Sequence, residues 1–165
     1  MKVIEAPNPV EDGLRIFCFL AGGIQKCNWQ SSVINALKEK DPIHLTLVNP
    51  RREVYPEGYD EVVRQIAWEY TYLNKWLDED NYIFSMYFDN SESPQPICFY
   101  ELGKYAEKAK NKVISVHPEF FRKDDVIIQC MLAGIQVHEC TPREHAELIY
   151  REYLKIKHTC QGFIA

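Results

Sequence analysis

The chain predicts an α/β domain: a three-layer sandwich on a five-stranded parallel sheet, one unit over residues 1–165 with its core at about 14–157. Three observations lead there. Short apolar runs of strand type alternate with helical patterns along the whole chain. The runs stop at strand-breaking residues, among them Gly22-Gly23, Asn49-Pro50 and His117-Pro118. The 165 residues are 46% apolar, enough for one full core and too apolar for a disordered chain.

The elements follow in order. Residues 14–20 form the first strand, stopped by Gly22-Gly23. Asn28 caps a helix that runs to about Lys38. Residues 43–48 are the second strand, and a loop with Arg51, Arg52, Pro56 and Gly58 follows it. Residues 59–77 read as a long helix with the apolar stripe Val62, Val63, Ile66, Tyr70, Leu73 and Leu77. Residues 81–88 are the third strand, 89–96 a polar loop and 97–108 a helix. The fourth strand is 113–116, a short helix covers 124–132, and the fifth strand is 135–138. Pro142 suits the first position of a last helix that reaches about Ile156, and residues 158–165 read as a tail. Strands separated by helices run parallel with right-handed crossovers, and ligands bind outside their carboxyl ends.

Charge and cysteines narrow the classes. The net charge is −5 and no basic stripe is present, which argues against a nucleic-acid polymer as partner. Six cysteines occur, at 18, 27, 98, 130, 140 and 160, without CxxC or zinc spacing. They read as free thiols of a cytoplasmic protein. Met1 to Ala6 meets charge at once, unlike a signal peptide, and no apolar run suits a membrane span.

The chemistry centres on Glu101, the one carboxylate within Ile97-Cys98-Phe99-Tyr100-Glu101-Leu102-Gly103. An unpaired carboxylate among apolar groups is costly and points to a partner or a reaction. A place near a helix N-terminus favours its ionised, nucleophilic form. The alternative is a helix-edge Glu paired with Lys104. Glu69 lies close to the apolar stripe of its helix, while Trp68 points away from it, which suggests a pocket or a subunit contact. The alternative is a boundary Glu beside an interface Trp. Ala21-Gly22-Gly23-Ile24 lets backbone N–H groups face a phosphate or sugar, or is a plain tight turn. Arg51-Arg52 would clamp a phosphate or carboxylate, unless both are solvated. His117 either lines the site or is a structural loop histidine.

These pieces stand in a familiar order. Phe19-Leu20-Ala21-Gly22-Gly23-Ile24, Asn49-Pro50-Arg51-Arg52 and Gln65-Ile66-Ala67-Trp68-Glu69 are followed by Ile83 to Phe88. Gln95-Pro96-Ile97, Tyr100-Glu101-Leu102-Gly103 and His117 to Arg122 complete the set. The chain resembles the nucleoside 2-deoxyribosyltransferase family, in particular its 2-deoxyribosyltransferase-like branch. The resemblance implies a flavodoxin-like, Rossmann-like fold and a site that often borrows residues from a second subunit, hence a homodimer or higher oligomer. It implies Glu101 as nucleophile on an anomeric carbon, a glycine turn around the nucleoside, and a helix carboxylate, here Glu69, that assists the base. It departs from the family where Asn81 and Gln95 stand in place of Asp. Gln95 lies six residues before Glu101, and twelve residues separate Glu69 from Asn81, a helical turn more than in the family.

The expected reaction is cleavage or transfer of the N-glycosidic bond of a nucleoside or its 5′-monophosphate, by double displacement and without metal or cofactor. It parallels retaining glycosidases, whose carboxyl groups stand about 5–5.5 Å apart. Glu101 and Glu69 would be catalytic. Ala21, Gly22, Gly23, Ile24, Arg51, Arg52, Trp68, Gln95 and His117 would bind substrate. The alternative is a non-catalytic nucleotide-binding module of the same fold.

Overall fold

A computed structural model describes residues 1–24, 26–54 and 57–159 of the chain. Pro56, Cys160 and the rest of the expected tail, 161–165, lie outside the described residues. The elements are β1 (Lys2–Glu5), β2 (Ile16–Gly22), α1 (Trp29–Lys38), β3 (Leu45–Asn49), α2 (Tyr59–Asn74) and β4 (Tyr82–Phe88). Then come α3 (Pro96–Tyr105), β5 (Asn111–Val116), α4 (Lys123–Leu132), β6 (Val137–Glu139) and α5 (Pro142–Thr159).

The sheet has six parallel strands in the order β1-β3-β2-β4-β5-β6, one more than the sequence predicts. The added strand is β1, paired with β3 through Val3 and Leu47. Its four residues Lys-Val-Ile-Glu carry charge at both ends, so it reads as polar. An edge strand buries only part of its surface and tolerates this. Helices α2, α3 and α4 pack on one face around Phe17, Phe19, Phe84 and Phe88. Helices α1 and α5 cover the other, around Cys18, Leu20, Leu47 and Ile83. Chain order switches direction at β2, whose neighbours are β3 and β4, and a crevice opens there.

Several local signals act as expected. Asn28 Oδ1 accepts from Ser31 N at 3.2 Å and starts α1. Pro142 opens α5, and Thr141 and Glu144 add a reciprocal box there that is not among the expected signals, with Thr141 N donating to Glu144 Oε2 at 2.8 Å.

The phase of α2 differs from the expected one. Its buried face is Gln65, Trp68, Tyr72 and Leu73, continued by Trp76 and Leu77. Val63, Ile66 and Tyr70 are instead 44%, 58% and 57% exposed. Large rings hold this phase. Trp76 stacks on Phe17 at 4.3 Å, and Trp68 meets Phe19 at 6.1 Å. The segment after β1 supplies the polar partners these rings need. Trp68 Nε1 donates to Asn8 O at 2.8 Å, and Val10 N donates to the Tyr72 hydroxyl at 2.9 Å. Asp12 reaches both Trp76 Nε1 and Lys75 Nζ.

Candidate active site

The crevice is a cavity of about 650 Å³ between α2 and α3, roofed by the end of β2. Phe19, Ile24, Val62, Leu73, Pro96 and Tyr105 give it apolar walls. Gln65, Glu69, Asp89, Gln95 and Glu101 bring polar groups into it, and Lys26 and Lys104 bring cations.

The glycine turn explains its own composition. At Gly22 φ is +142°, and a Cβ there would fall 2.3 Å from Tyr87 O. A Cβ on Gly23 would fall 2.6 Å from Asp89 Oδ2 and 3.2 Å from Gln95 Oε1. Any larger residue would push the turn away from Asp89 and Gln95. Gln95 is the N-cap of α3 and holds a left-handed backbone at φ +48°, which also precedes a proline. This conformation is costly for a residue with a side chain. The side chain is fixed by Nε2 donating to Asp89 O at 3.2 Å, while Oε1 is buried without a partner.

Glu101 stands in the second turn of α3, mostly enclosed. Burial, then the neighbouring charge of Glu69, pushes its carboxyl up to about 8, against a weak opposing pull from Lys104. Burial therefore opposes the ionised form that the helix N-terminus favours. A helix dipole contributes about 0.3–1 kcal/mol, and desolvation of a carboxylate exceeds that. Lys104 is itself engaged: its ammonium lies 4.5 Å from the Tyr70 ring centre and 4.8 Å from that of Tyr105.

Glu69 faces the same cavity from α2. Burial raises its carboxyl too, but a hydrogen bond from Gln65 and the charge of Arg52 pull it back. Gln65 Nε2 donates to Glu69 Oε1 at 2.6 Å. Burial thus pushes both carboxyls upward, and Glu101 is raised further by the charge of its neighbour.

Of the residues expected to bind substrate, Ala21, Gly22, Gly23, Ile24 and Gln95 line the cavity, whereas Arg51, Arg52, Trp68 and His117 do not. Arg51 Nη1 donates to Ile24 O at 2.6 Å and Cys27 O at 2.8 Å, so it pins the loop behind the glycine turn. Arg52 pairs with Glu61 at 3.2 Å and acts on Glu69 through its charge. Trp68 is core, anchored on Asn8 as above. His117 Nδ1 accepts from Glu119 N at 3.1 Å in a local turn.

Gln65, Asp89, Lys26, Ser91 and Ser93 line the cavity without having been singled out in the sequence as site residues. Asp89 ends a strand at the topological switch, and that position was the available signal. For Gln65 it was a polar side chain one turn before Glu69 on the same face. Cys98 also lines the wall, and burial with nearby carboxylates raises its thiol, so it is a poor nucleophile. Cys18, Cys27, Cys98, Cys130 and Cys140 are free. No helix among the described residues is long and apolar enough to cross a membrane.

Every cavity residue falls between residues 15 and 120. That segment matches the family model described as "Nucleoside 2-deoxyribosyltransferase like". No curated protein matches the chain.

Proposed function

The chain belongs to the nucleoside 2-deoxyribosyltransferase-like family, and from that premise we propose that it cleaves or transfers the N-glycosidic bond of a nucleoside. The observation that carries the reading is the pair Glu69 and Glu101, on separate helices in one largely apolar cavity. One proton between two carboxylates is what a double displacement uses.

Substrate binding moves that proton from Glu101 to Glu69. The Glu101 carboxylate then attacks the anomeric carbon, and the bond from that carbon to the base nitrogen breaks. Glu69 gives its proton to the departing nitrogen. Next, water or the N–H of a second base attacks the same carbon and returns a proton to Glu69. The ester to Glu101 breaks, and the sugar leaves with retained configuration. Water gives hydrolysis, and a second base gives transfer.

Arg51 is committed to Ile24 O and Cys27 O, and neither Arg51 nor Arg52 lines the cavity, which favours a substrate without a 5′-phosphate. The apolar residues Val63, Ile66 and Tyr70 on α2, with Ile97 and Tyr100 on α3, are exposed. Four of them also border the cavity (Ile66, Tyr70, Ile97 and Tyr100), which supports a second copy closing it as a homodimer. Light scattering tests that, and a monomer at micromolar concentration would overturn it. The free thiols support a cytoplasmic setting.

The test of the activity is incubation with deoxynucleosides and their 5′-monophosphates, with and without a second base, followed by chromatography for released base. Release that disappears in Glu101→Gln is the expected result. Binding without release in the wild type would move the protein to the class of non-catalytic nucleotide-binding modules.

A further inference from the structure

One side chain touching the carboxylate pair is only half satisfied. Gln65 is 4% exposed and lines the cavity. Its Nε2 donates to Pro50 O at 2.8 Å and to Glu69 Oε1 at 2.6 Å, which uses both amide hydrogens. The reversed amide would set its oxygen against two acceptors, so the orientation is fixed. Oε1 is buried and has no partner. Folded proteins leave few such acceptors unpaired, since each has given up its bond to water without a replacement.

We propose that Gln65 works from both ends. Through Nε2 it positions Glu69 against the segment after β3, and through Oε1 it receives an N–H or O–H donor from the substrate. This rests on the glycosyl-transfer reading for its substrate half alone. A donor that fills Oε1 relieves the orphaned acceptor at the moment the ligand arrives. The same contact then tightens the amide that holds Glu69. A ligand without a donor at that place leaves the acceptor unpaired and is disfavoured.

Glu69 is faced by several groups besides Gln65. Arg52, with its partner Glu61, approaches from the segment after β3 and the start of α2. Glu101 and the Cys98 thiol approach from α3. Asp89, Lys26 and Lys104 lie further along the same cavity. None of these donates a hydrogen bond to Glu69, so Gln65 is the contact that fixes its direction.

The first experiment is a carbon-13 NMR titration of glutamate-labelled protein, with Glu69→Gln and Glu101→Gln as assignments. In Gln65→Met, which keeps length and removes both hydrogen-bonding ends, the Glu69 midpoint is expected to rise by about half a pH unit or more. Gln65→Asn, shorter by one methylene, is expected to move it the same way and serves should Gln65→Met not fold. Unchanged midpoints with a plain loss of stability would reduce Gln65 to a bolt on Pro50 and overturn the positioning half. The second experiment is calorimetry with deoxyadenosine, deoxyguanosine, deoxycytidine and thymidine. Gln65→Met is expected to weaken at least one of them about tenfold. Equal affinities in both proteins would overturn the acceptor half. If the wild type binds none of them, the acceptor half falls together with the glycosyl-transfer reading. The titration still decides the positioning half by itself.

Discussion

The two faces of the sheet each bury ionisable side chains, and they treat them in opposite ways. On the α1/α5 face His145 is fully buried, with Nε2 paired to Ser85 Oγ at 2.8 Å and Nδ1 to Ser115 Oγ at 2.7 Å. Nearby, the Tyr87 hydroxyl donates to Cys140 O at 2.9 Å. Burial lowers the imidazole to about 3, so it is held neutral. On the α2/α3 side Glu69 and Glu101 share a cavity whose amide oxygens, Gln65 Oε1 and Gln95 Oε1, lack partners. A backbone strained at Gln95 stands beside them. The contrast sets a ring that completes its own hydrogen bonds, His145, against two amide oxygens beside the carboxylate pair that leave theirs open.

The largest expected effect breaks the cavity side. Glu101→Gln should lower base release by at least about a thousandfold, measured by single-turnover chromatography, because the proposed nucleophile is gone. It should also make the protein more stable at pH 8, since a neutral amide replaces a carboxyl that resists ionisation. The next effect breaks the other face. His145→Leu removes the ring partner of two buried hydroxyls, Ser85 and Ser115, and should cost about 2–4 kcal/mol in urea unfolding. The titration midpoints of Glu69 and Glu101 should stay where they are.

Protons sharpen the comparison further. Glu101 is raised from its ordinary 4.5 to about 8, so the folded protein binds more protons than the unfolded chain across that window. Its contribution is complete below pH 4.5 and is lost as the pH climbs to about 8. His145 is lowered from 6.5 to about 3, so the folded protein binds fewer protons there, and stability is lost as the pH falls through that window. Each group contributes a slope of about 1.4 kcal/mol per pH unit. The slopes oppose one another between 4.5 and 6.5, which predicts a plateau there and a decline on both sides. Glu101→Gln should flatten the alkaline decline and leave the acid one. The smallest effect lies outside the cavity lining: Glu61→Gln releases Arg52 from a partly exposed ion pair and should change stability by less than about 0.5 kcal/mol. It should lower the Glu69 midpoint slightly, because Arg52 is freed toward it.

Local chemistry was readable in the chain before its folding. The buried strands, the Asn28 cap, the Pro142 helix start, the glycine turn and the enclosed place of Glu101 all follow from neighbours within a few residues, whereas Glu69 reaches the cavity although much of the stripe it was set against is exposed. The phase of α2 was not readable. Trp68 and Tyr72 became core only because Asn8 and Val10, some sixty residues away, supply their polar partners. The same holds for Arg51, whose acceptors lie 24 and 27 residues earlier in the chain. Guanidinium groups beside a strand end look like a phosphate clamp until the competing carbonyls are known. Strand β1 was missed because its burial comes from a single neighbour at the sheet edge.

The bridge from Asn8, Val10 and Asp12 to α2 gives the first dozen residues a hold on the helix that carries Glu69. Amide exchange should register it: α2 opens together with that segment as one cooperative unit rather than fraying from its own ends. Three anchors about a turn apart stitch it, at Trp68 and Tyr72 within the helix and at Trp76 just past its end. Rotation of α2 about its axis, the motion that would turn Glu69 out of the cavity, is thereby tied to detachment of the strap. Substitutions at Val10 or Asp12, remote from any reacting atom, would loosen the aim of that carboxylate before they loosened the sheet.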